Sequence, residues 1–424
     1  MNNLKKYKFS DLYDIGSGIS SKPEQAGHGF PFLSFSSVFN NHFLPSSLPD
    51  LMDTSEKERK TYSIKEGDVF LTRTSETLDE LAMSSVAICD APNATYSGFL
   101  KRLRPNQTDI TYPKFMAFYL RSKLFRKTMT NNAIMTLRAS FNEQIFSYLD
   151  LLLPELESQK NIGDLLFLLN EKIELNNKIN AELEAMAKLI YDYWFVQFDF
   201  PDANGEPYKS SGGKMVYSEE LKREIPECWT VDSLGDLGEF KNGVNYDKSS
   251  LGGTLCPIIN VRNISASSFF IQNKDLDIVS LSQNDADNYS MNSEDILIAR
   301  SGIPGATRLV SGLDKNTIFC GFAIRYQLNK STLKLKVFFF LKDLEKSIQS
   351  GSGGTILKNV NQATLKDLLF AYPIKEDLLN SFNEIIFPLF NRINLVQEEN
   401  NKLTDLRDWL LPMLMNGQVT IKVN

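Results

Sequence analysis

Cysteine and histidine are scarce in this chain, which limits the metal chemistry that it can support. The 424 residues include two histidines, and the four cysteines lie far apart at positions 89, 228, 256 and 320. No CxxC pair occurs, so a Cys/His zinc site cannot be assembled at the usual spacing. We therefore expect no metal ion and no cofactor, and we expect free thiols in a reducing cytoplasm.

Long apolar runs are also missing. No stretch approaches the ~18 apolar residues that a membrane helix needs. The first ten residues are polar and lysine-rich, without the apolar core of a signal peptide. Apolar residues make up 42% and charged residues 23% of the chain, which is typical of globular proteins. This length predicts about two to three domains in a cytoplasmic protein.

Motifs that carry catalysis are absent from the sequence. There is no GxxxxGK[ST] phosphate loop, no GxGxxG after a strand, no GxSxG elbow and no Asn/Asp-Pro-Pro-aromatic tetrapeptide of amino-methyltransferases. Asp202, Glu206 and Lys209 resemble a nuclease cluster only superficially, since they lack its spacing and lie in a turn-rich stretch. The sequence therefore favours a protein that binds rather than one that catalyses.

The net charge of −6 does not by itself point to nucleic acid. Acidic residues exceed basic ones in segments 156–228 and 373–424, whereas segments 1–155 and 229–372 are close to neutral. Neither neutral segment is as basic as a typical DNA-binding domain. Charge is therefore compatible with DNA binding but does not indicate it.

The sequence contains two copies of one module. The matching blocks are residues 7–16 with 229–238, residues 62–73 with 289–300, and residues 136–142 with 356–361. The offset between partners stays close to 220 residues and shifts slightly between blocks, as loop insertions would produce. A period this long indicates a duplicated domain rather than a solenoid.

Each module ends in a long helical segment with apolar residues every seven positions. The predicted seam is Ile162, Leu169, Asn176, Leu183 and Ile190 in the first helix, and Phe382, Leu389, Val396, Leu403 and Leu410 in the second. This spacing is typical of a coiled coil, and two such helices would bury each other's stripes. Asparagines in the seam, Asn176 and Asn180, would favour one register. Pro388 either kinks the second helix or marks its first turn.

The order along the chain is module, helix, linker, module, helix. We predict the boundaries as 1–155 and 229–372 for the modules, 156–198 and 373–424 for the helices, and 199–228 for a linker rich in Pro, Gly, Ser and Asn. Strand-like runs at 68–72, 85–89, 295–299 and 318–326, and helix-like runs at 112–130 and 333–349, predict an α+β fold.

Basic residues at matching places in the two copies are the candidate DNA contacts. Arg73 and Arg300 each follow a buried-looking strand, where a guanidinium can bind a phosphate or a guanine edge. The alternative is a structural arginine paired with Asp68 or Asp295. Near the end of each module, further candidates are Arg138, Lys358 and Asn359.

A basic concentration in the first module adds three weaker candidates, Lys101, Arg102 and Arg104, with further charges at positions 121, 123, 126 and 127. A run of charge is usually a solvated face, so it favours DNA only mildly. We expect the aromatic residues at positions 35, 39, 96 and 99 to lie in the core rather than to stack on bases.

The chain resembles the specificity subunit of type I restriction–modification systems over its whole length. The resemblance rests on the two-copy layout and on the segments at 67–73, 149–159, 189–195, 225–229 and 367–373. It implies two pseudo-symmetric target recognition domains separated by two long antiparallel coiled-coil helices. Each domain would read one half of a bipartite, asymmetric DNA sequence.

The resemblance also implies the partners. Two DNA methyltransferase subunits, which carry S-adenosylmethionine, would dock on the helices, and restriction and translocase subunits would join them. This chain would then supply no catalytic residue. Three alternatives remain open: an enzyme with duplicated domains, a duplicated structural adaptor, and the specificity chain of a type II system with separate methyltransferase–nuclease subunits.

Overall fold

The fold is that of a computed structural model, which describes residues 4–20, 22–75, 80–132, 139–141, 143–247, 252–274, 276–350, 360–419 and 421. The chain divides into two units. Unit 1 comprises Met1–Asn176 and Glu399–Asn424, and unit 2 comprises Asn177–Glu398. Each unit includes part of both long helices, and the finer sequence boundaries given above stay a prediction. Within the described residues, no helix is long and apolar enough to cross a membrane.

The strands and short helices of unit 1 surround a four-stranded antiparallel sheet. The strands are β1 Lys5–Lys8, β2 Tyr13–Ser17, β3 Ala26–Leu33, β4 Asp50–Met52, β5 Val69–Thr72, β6 Thr74–Ser75, β7 Ser84–Val86, β8 Thr95–Tyr96, β9 Leu100–Pro105, β10 Ala139–Ser140 and β11 Asp150–Leu153. The helices are α1 Phe9–Leu12, α2 Phe35–Asn40, α3 Glu56–Thr61, α4 Pro113–Tyr119, α5 Lys123–Asn132 and α6 Glu143–Tyr148, followed by the long α7 Leu156–Tyr191.

Unit 2 is built from the same kinds of element. The strands are β12 Met215–Ser218, β13 Arg223–Pro226, β14 Trp229–Ser233, β15 Gly238–Asn242, β16 Thr254–Ile259, β17 Asp277–Leu281, β18 Ile296–Ala299, β19 Thr307–Leu309, β20 Ile318–Phe319, β21 Ala323–Leu328 and β22 Leu369–Pro373. The helices are α8 Leu234–Leu237, α9 Val261–Ala266, α10 Gln283–Asn288, α11 Lys334–Gln349, α12 Gln362–Lys366 and the long α13 Asp377–Met415.

The sheet topology confirms the duplication. Unit 1 has the sheet orders β2-β9-β5-β7, β4-β3-β8 and β1-β11, and unit 2 repeats them as β15-β21-β18-β19, β17-β16-β20 and β14-β22. In both units the three-stranded sheet contains one parallel pair, β3 with β8 and β16 with β20. The central strands β5 and β18 are buried along their whole length, which accounts for their mostly apolar sequences, with Thr72 as the one polar residue.

Side-chain contacts repeat between the copies as well. Arg102 donates from Nη1 to the carbonyl oxygen of Ser63 (2.8 Å), and Arg325 donates from Nη1 to the carbonyl oxygen of Ser290 (2.9 Å). Because the two arginines hold the same loop at the same place, the duplication extends from the order of strands to individual hydrogen bonds.

Two predicted elements are divided in the structure. The helix predicted for 112–130 is broken between α4 and α5, where the hydroxyl of Ser122 donates to the carbonyl oxygen of Tyr119 at 2.6 Å. The strand predicted for 318–326 is divided into β20 and β21 by a turn at 320–322. In both places a local polar or glycine turn overrides an apolar pattern.

The segment expected to be a linker contains an antiparallel hairpin of β12 and β13. Phe198 and Phe200, just after α7, are buried in the core of unit 2. A π-helical turn, Asp192–Val196, follows α7, and Phe198 just beyond it has a φ of 66°, a left-handed backbone conformation that is common after a helix end. The chain between α7 and unit 2's first sheet is therefore packed rather than free.

The long helices pack against each other within both units. In unit 1, Ile162 and Leu166 of α7 share a core with Leu414 and Met415 of α13. Further along, Asn176 Nδ2 donates to Asn400 Oδ1 at 2.9 Å. Because residue numbers rise along one helix as they fall along the other, the pair is antiparallel.

In unit 2, the π-helical turn that follows α7 reaches the start of α13, where the rings of Phe195 and Phe382 lie 4.7 Å apart. All ten predicted seam residues are buried or half-buried. By contrast Leu168, Leu175 and Leu189 of α7 are 62%, 53% and 66% exposed. Helix α13 continues through Pro388, so the interpretation of this proline as a first turn is wrong.

Candidate nucleic-acid interface

In unit 2, a tight turn between β20 and β21 places Phe322 beside Arg300, which follows β18. The backbone N–H of Arg300 donates to the carbonyl oxygen of Phe322 (2.8 Å), and the N–H of Gly321 donates to that of Val244 (2.8 Å). These bonds fix the turn on two neighbouring segments. Phe322 is 62% exposed, and Arg300 is exposed beside it.

Unit 1 has the same arrangement between β8 and β9. The N–H of Arg73 donates to the carbonyl oxygen of Phe99 (2.9 Å), and the N–H of Gly98 donates to that of Ile19 (2.7 Å). Phe99 is 66% exposed, and Arg73 is exposed. Each unit therefore presents an arginine and a phenylalanine that are joined through one backbone hydrogen bond.

A glycine beside each turn is required by close backbone approach. A Cβ at Gly243 would lie 2.2 Å from the carbonyl oxygen of Cys320, and a Cβ at Gly18 would lie 2.2 Å from that of Ser97. No side chain fits at these distances. Gly243 follows β15 and Gly18 follows β2. Because neither has a side chain, the backbone at each of these positions packs directly against the turn.

In unit 2 the turn forms one wall of a pocket of about 500 Å³. Its lining residues are Asn242, Gly243, Asn245, Arg300, Ser301, Gly321, Phe322, Val360 and Asn361. The guanidinium of Arg300 donates to the carbonyl oxygen of Gly321 at 3.3 Å. The Oδ1 of Asn361 accepts from the N–H of Thr364 at 3.0 Å, so this side chain is fixed as the N-cap of α12.

The side chains of this pocket can form hydrogen bonds and apolar contacts with a partner. Guanidinium and amide groups match the acceptor and donor edges of base pairs, and a ring offers an apolar surface. Among the residues that the structure describes, no group of three or more His, Cys, Asp or Glu side chains could hold a metal ion. The described part of the pocket contains no charged group other than Arg300.

The structural alternative for Arg73 and Arg300 does not hold in the described contacts. Asp68 is paired with Arg104, whose Nη2 lies 2.6 Å from its Oδ2. Asp295 accepts from the backbone N–H of Asn292 at 2.8 Å. Both arginines are thus at the surface rather than paired with these aspartates, and DNA contact by either of them stays a prediction.

Three other basic candidates of unit 1, Lys101, Arg102 and Arg104, have partners within the unit. Lys101 is 7% exposed, and its Nζ donates to Ser17 Oγ at 2.7 Å. Arg102 holds the loop at Ser63 as described above, and Arg104 holds Asp68. These contacts give the three side chains a structural role within unit 1.

The wider basic concentration is also partly structural. Arg121 donates to four backbone carbonyls, including those of Ser84 (2.6 Å) and Val38 (2.8 Å). Burial, with a smaller contribution from Arg126, lowers the pKa of Arg121 to about 10. Three further candidates, Arg138, Lys358 and Asn359, lie outside the described residues.

The sequence prediction for Phe99 was wrong, because it placed the ring in the core. Tyr96, three residues earlier, is 1% exposed as expected. A sequence signal for the exposed ring did exist: Gly98-Phe99 and Gly321-Phe322 match at an offset of 223, within the range of the other repeat blocks. A repeat alignment carried through this turn would have identified both phenylalanines.

Comparison with known proteins decides the family. The family profile described as the type I restriction modification DNA specificity domain matches residues 1–185 and 226–405. The chain belongs to this family. Each matched segment contains one of the two copies that the repeat and the sheet topology define.

Relatives of this specificity-domain family match along nearly the whole chain. The type I restriction enzyme HindI specificity subunit of Haemophilus influenzae is 26% identical over 99% of this chain and 100% of its own length. The MjaIX specificity subunit of Methanocaldococcus jannaschii is 23% identical over 98% of this chain and 93% of its own.

A solved structure shares the fold. The S subunit of a type I restriction-modification system from M. genitalium aligns with a TM-score of 0.57 at 13% identity, covering 100% of this chain and 97% of that one. The predicted α+β class, with a repeated recognition domain and long antiparallel helices, is therefore confirmed.

Proposed function

We propose that this chain is the DNA sequence-specificity subunit of a type I restriction–modification complex. The observation that carries the proposal is the paired turn: each unit of a specificity-family chain exposes an arginine and a phenylalanine at the same place. In this proposal, unit 1 reads one half of a bipartite target and unit 2 reads the other. Arg73 and Arg300 contact a phosphate or a guanine edge in their own half-sites.

Side chains beside the two turns would make the two half-sites differ. Asn242 and Asn245 of unit 2 occupy the places of Ser17 and Ser20 of unit 1, since β15 and β2 pair in the same way with β21 and β9. Asparagine can bind an adenine edge with two hydrogen bonds, whereas serine is less selective. Because the two units share a backbone arrangement but differ in these side chains, they would read different half-sites, and the target would be asymmetric.

The long helices are the proposed docking surface for two methyltransferase subunits. Leu168, Leu175 and Leu189 are exposed along α7, each one position before the buried seam, and the exposed Glu182 occupies the intervening seven-residue position. An apolar row on the outside of a helix pair is typical of a surface that a protein partner covers. The acidic excess of the helical segments also favours a protein partner over DNA.

In this proposal, the chemical steps belong to the partner subunits. The chain itself is non-catalytic, and the methyltransferase subunits bring S-adenosylmethionine and the methyl transfer. Restriction and translocase subunits join the same assembly in the cytoplasm. Helix α7 has 36 residues and is therefore about 54 Å long.

A footprint of the assembled complex tests the proposal. The full chain is purified with its methyltransferase subunits, and DNase protection is measured on random-sequence DNA. We expect selective protection of one bipartite sequence. Equal protection of all sequences, or S-adenosylmethionine binding by the chain alone, would contradict the proposal.

Substitutions in the two turns sharpen this test. Arg300→Ala is expected to reduce protection of one half-site and Arg73→Ala that of the other, while both complexes still assemble. Arg223→Ala is a matched control, because Arg223 is exposed on the β13 hairpin and lies over the Phe198 ring, outside the pocket.

A further inference from the structure

Packing within their own units does not explain why the rings of Phe99 and Phe322 are exposed. Among the described phenylalanines, these two and Phe387 of α13 are at least half exposed, whereas most of the others are in the cores. Leaving a ring in water forfeits the free energy that burial would give. The same cost appears at the same turn in both units, which points to a common partner.

Backbone hydrogen bonds fix the position of each phenylalanine in its turn. Phe322 is followed by the buried strand β21, and its carbonyl oxygen is held by Arg300. Phe99 is followed by β9 and held in the same way by Arg73. Nearby side chains differ between the copies, as Ser17 and Asn242 do, so the shared phenylalanine is not merely a relic of high sequence similarity.

We infer that each ring contacts the 5-methyl group of one thymine in the major groove of its own half-site. This inference rests on the proposed function and adds a specificity determinant to it. The major-groove edge of an A·T pair places an apolar methyl beside the thymine O4 acceptor and the adenine N6–H₂ and N7 groups. In unit 2, Phe322 lines the same pocket as Arg300 and Asn245. The pocket therefore combines an apolar group with hydrogen-bonding groups, as the edge of an A·T pair does.

Removing the methyl group from DNA tests the contact directly. Once the target is known, each thymine of each half-site is replaced singly by deoxyuridine, and the affinity of the full complex is measured. We expect one replacement in the half-site of unit 2 to weaken binding about three- to fivefold, the amount expected for one apolar carbon group. Phe322→Ala should weaken binding of unmodified DNA and make that same replacement silent.

The second unit and a surface residue supply the controls. Phe99→Ala should make deoxyuridine replacement silent at one thymine of the half-site that unit 1 reads. It should leave the effect of replacement in the half-site of unit 2 unchanged. Leu255→Ala removes an apolar side chain of unit 2 that is 69% exposed on β16, and it should leave the deoxyuridine profile as in the wild type. Phe322→Leu should keep part of the sensitivity, because it keeps an apolar side chain.

Failures of the two proposals look different. A complex that selects no sequence overturns the proposed function itself. A complex that selects its site but tolerates deoxyuridine at every position, or whose half-site has no A·T pair, overturns the methyl contact alone. A ring-dependent rise in 2-aminopurine fluorescence without any deoxyuridine effect would likewise overturn it, since it would show a ring inserted between base pairs.

Discussion

The side chain of Asn176 donates a hydrogen bond to Oδ1 of Asn400, 2.9 Å away, inside the seam between the two long helices. Asn176 is 1% exposed and Asn400 is 3% exposed. The same amide donates to Oε2 of Glu399 at 2.9 Å. A buried polar pair in an apolar seam selects the register in which its members meet, at some cost in stability.

This pair should show coupling in a double-mutant cycle. Replacing Asn176 or Asn400 singly with Leu removes the bond and is expected to destabilise unit 1 by about 1–3 kcal/mol. The double variant should be less destabilised than the sum of the single ones, because it replaces the polar pair with an apolar one. Thermal unfolding measures this, and strictly additive effects would show that the pair is not coupled.

Seam and outer positions of α7 should respond oppositely to a charge. Leu183 packs against the core of unit 2, so Leu183→Asp is expected to cost at least about 3 kcal/mol of stability. Leu189→Asp, at a position 66% exposed, should leave thermal stability near that of the wild type and weaken methyltransferase binding instead. Wild-type stability of Leu183→Asp would refute the seam.

The long helices and the duplication could be predicted from the sequence. A repeat alignment also pairs Phe99 with Phe322, but it does not show that the two rings are exposed. Seven-residue spacing is a local property of the chain, and both copies repeat buried strands such as β5 and β18. The exposure of Phe99 depends on a turn fixed by Arg73 and Ile19, which come from distant parts of the chain. Composition around Phe99 gives no sign of that turn.

The basic candidates show the same limit. Arg102 and Arg104 occur in a charged run that resembles a solvated face. Only the pairing of β9 with β5 and β2 brings them to Ser63 and Asp68. A contact that depends on sheet register is not visible in residue types alone.

Asp68 and Asp295 occupy equivalent places but have different partners. Arg104 pairs with Asp68. Leu103 pairs with the first residue of β5, and Tyr326 pairs with the first residue of β18. The next residue in unit 2, Gln327, is therefore the equivalent of Arg104. Burial raises the pKa of the Asp295 carboxyl. We expect Asp68→Asn to cost about 2 kcal/mol or more, because it leaves Arg104 without its carboxylate, and Asp295→Asn to cost less.

The pH dependence of unit 2 follows from this difference. The folded state binds the Asp295 proton more tightly than the unfolded state, so stability falls as pH rises from the ordinary aspartate pKa through the raised one. Asp295→Asn should remove this fall, and Gln327→Arg should reduce it by supplying the missing charge. Unfolding by urea across acidic pH measures both, and unchanged slopes would contradict the assignment.

Unit 1 should lose stability in mild acid through His42. Burial, with repulsion from Arg121 and Arg407, lowers the pKa of His42 to about 3. Between about pH 6.5 and 3 the unfolded chain takes up a proton that the folded chain excludes, so stability falls as pH decreases, by up to about 1.4 kcal/mol per pH unit.

His42→Phe should flatten this decline, since the ring already lies 5.1 Å from that of Phe118. His28→Gln, which changes an exposed histidine, is the control and should keep the wild-type profile. A wild-type acid profile in His42→Phe would show that another group governs the loss.

Methylation sequencing of the host genome tests the central claim most directly. The native strain is compared with a deletion of this chain and with strains that carry only the Arg73→Ala or Arg300→Ala form. The account predicts that one bipartite methylated sequence disappears on deletion, and that each arginine variant relaxes a different half of it. Methylation that survives the deletion, or variants that relax both halves alike, would contradict a reader built from two copies.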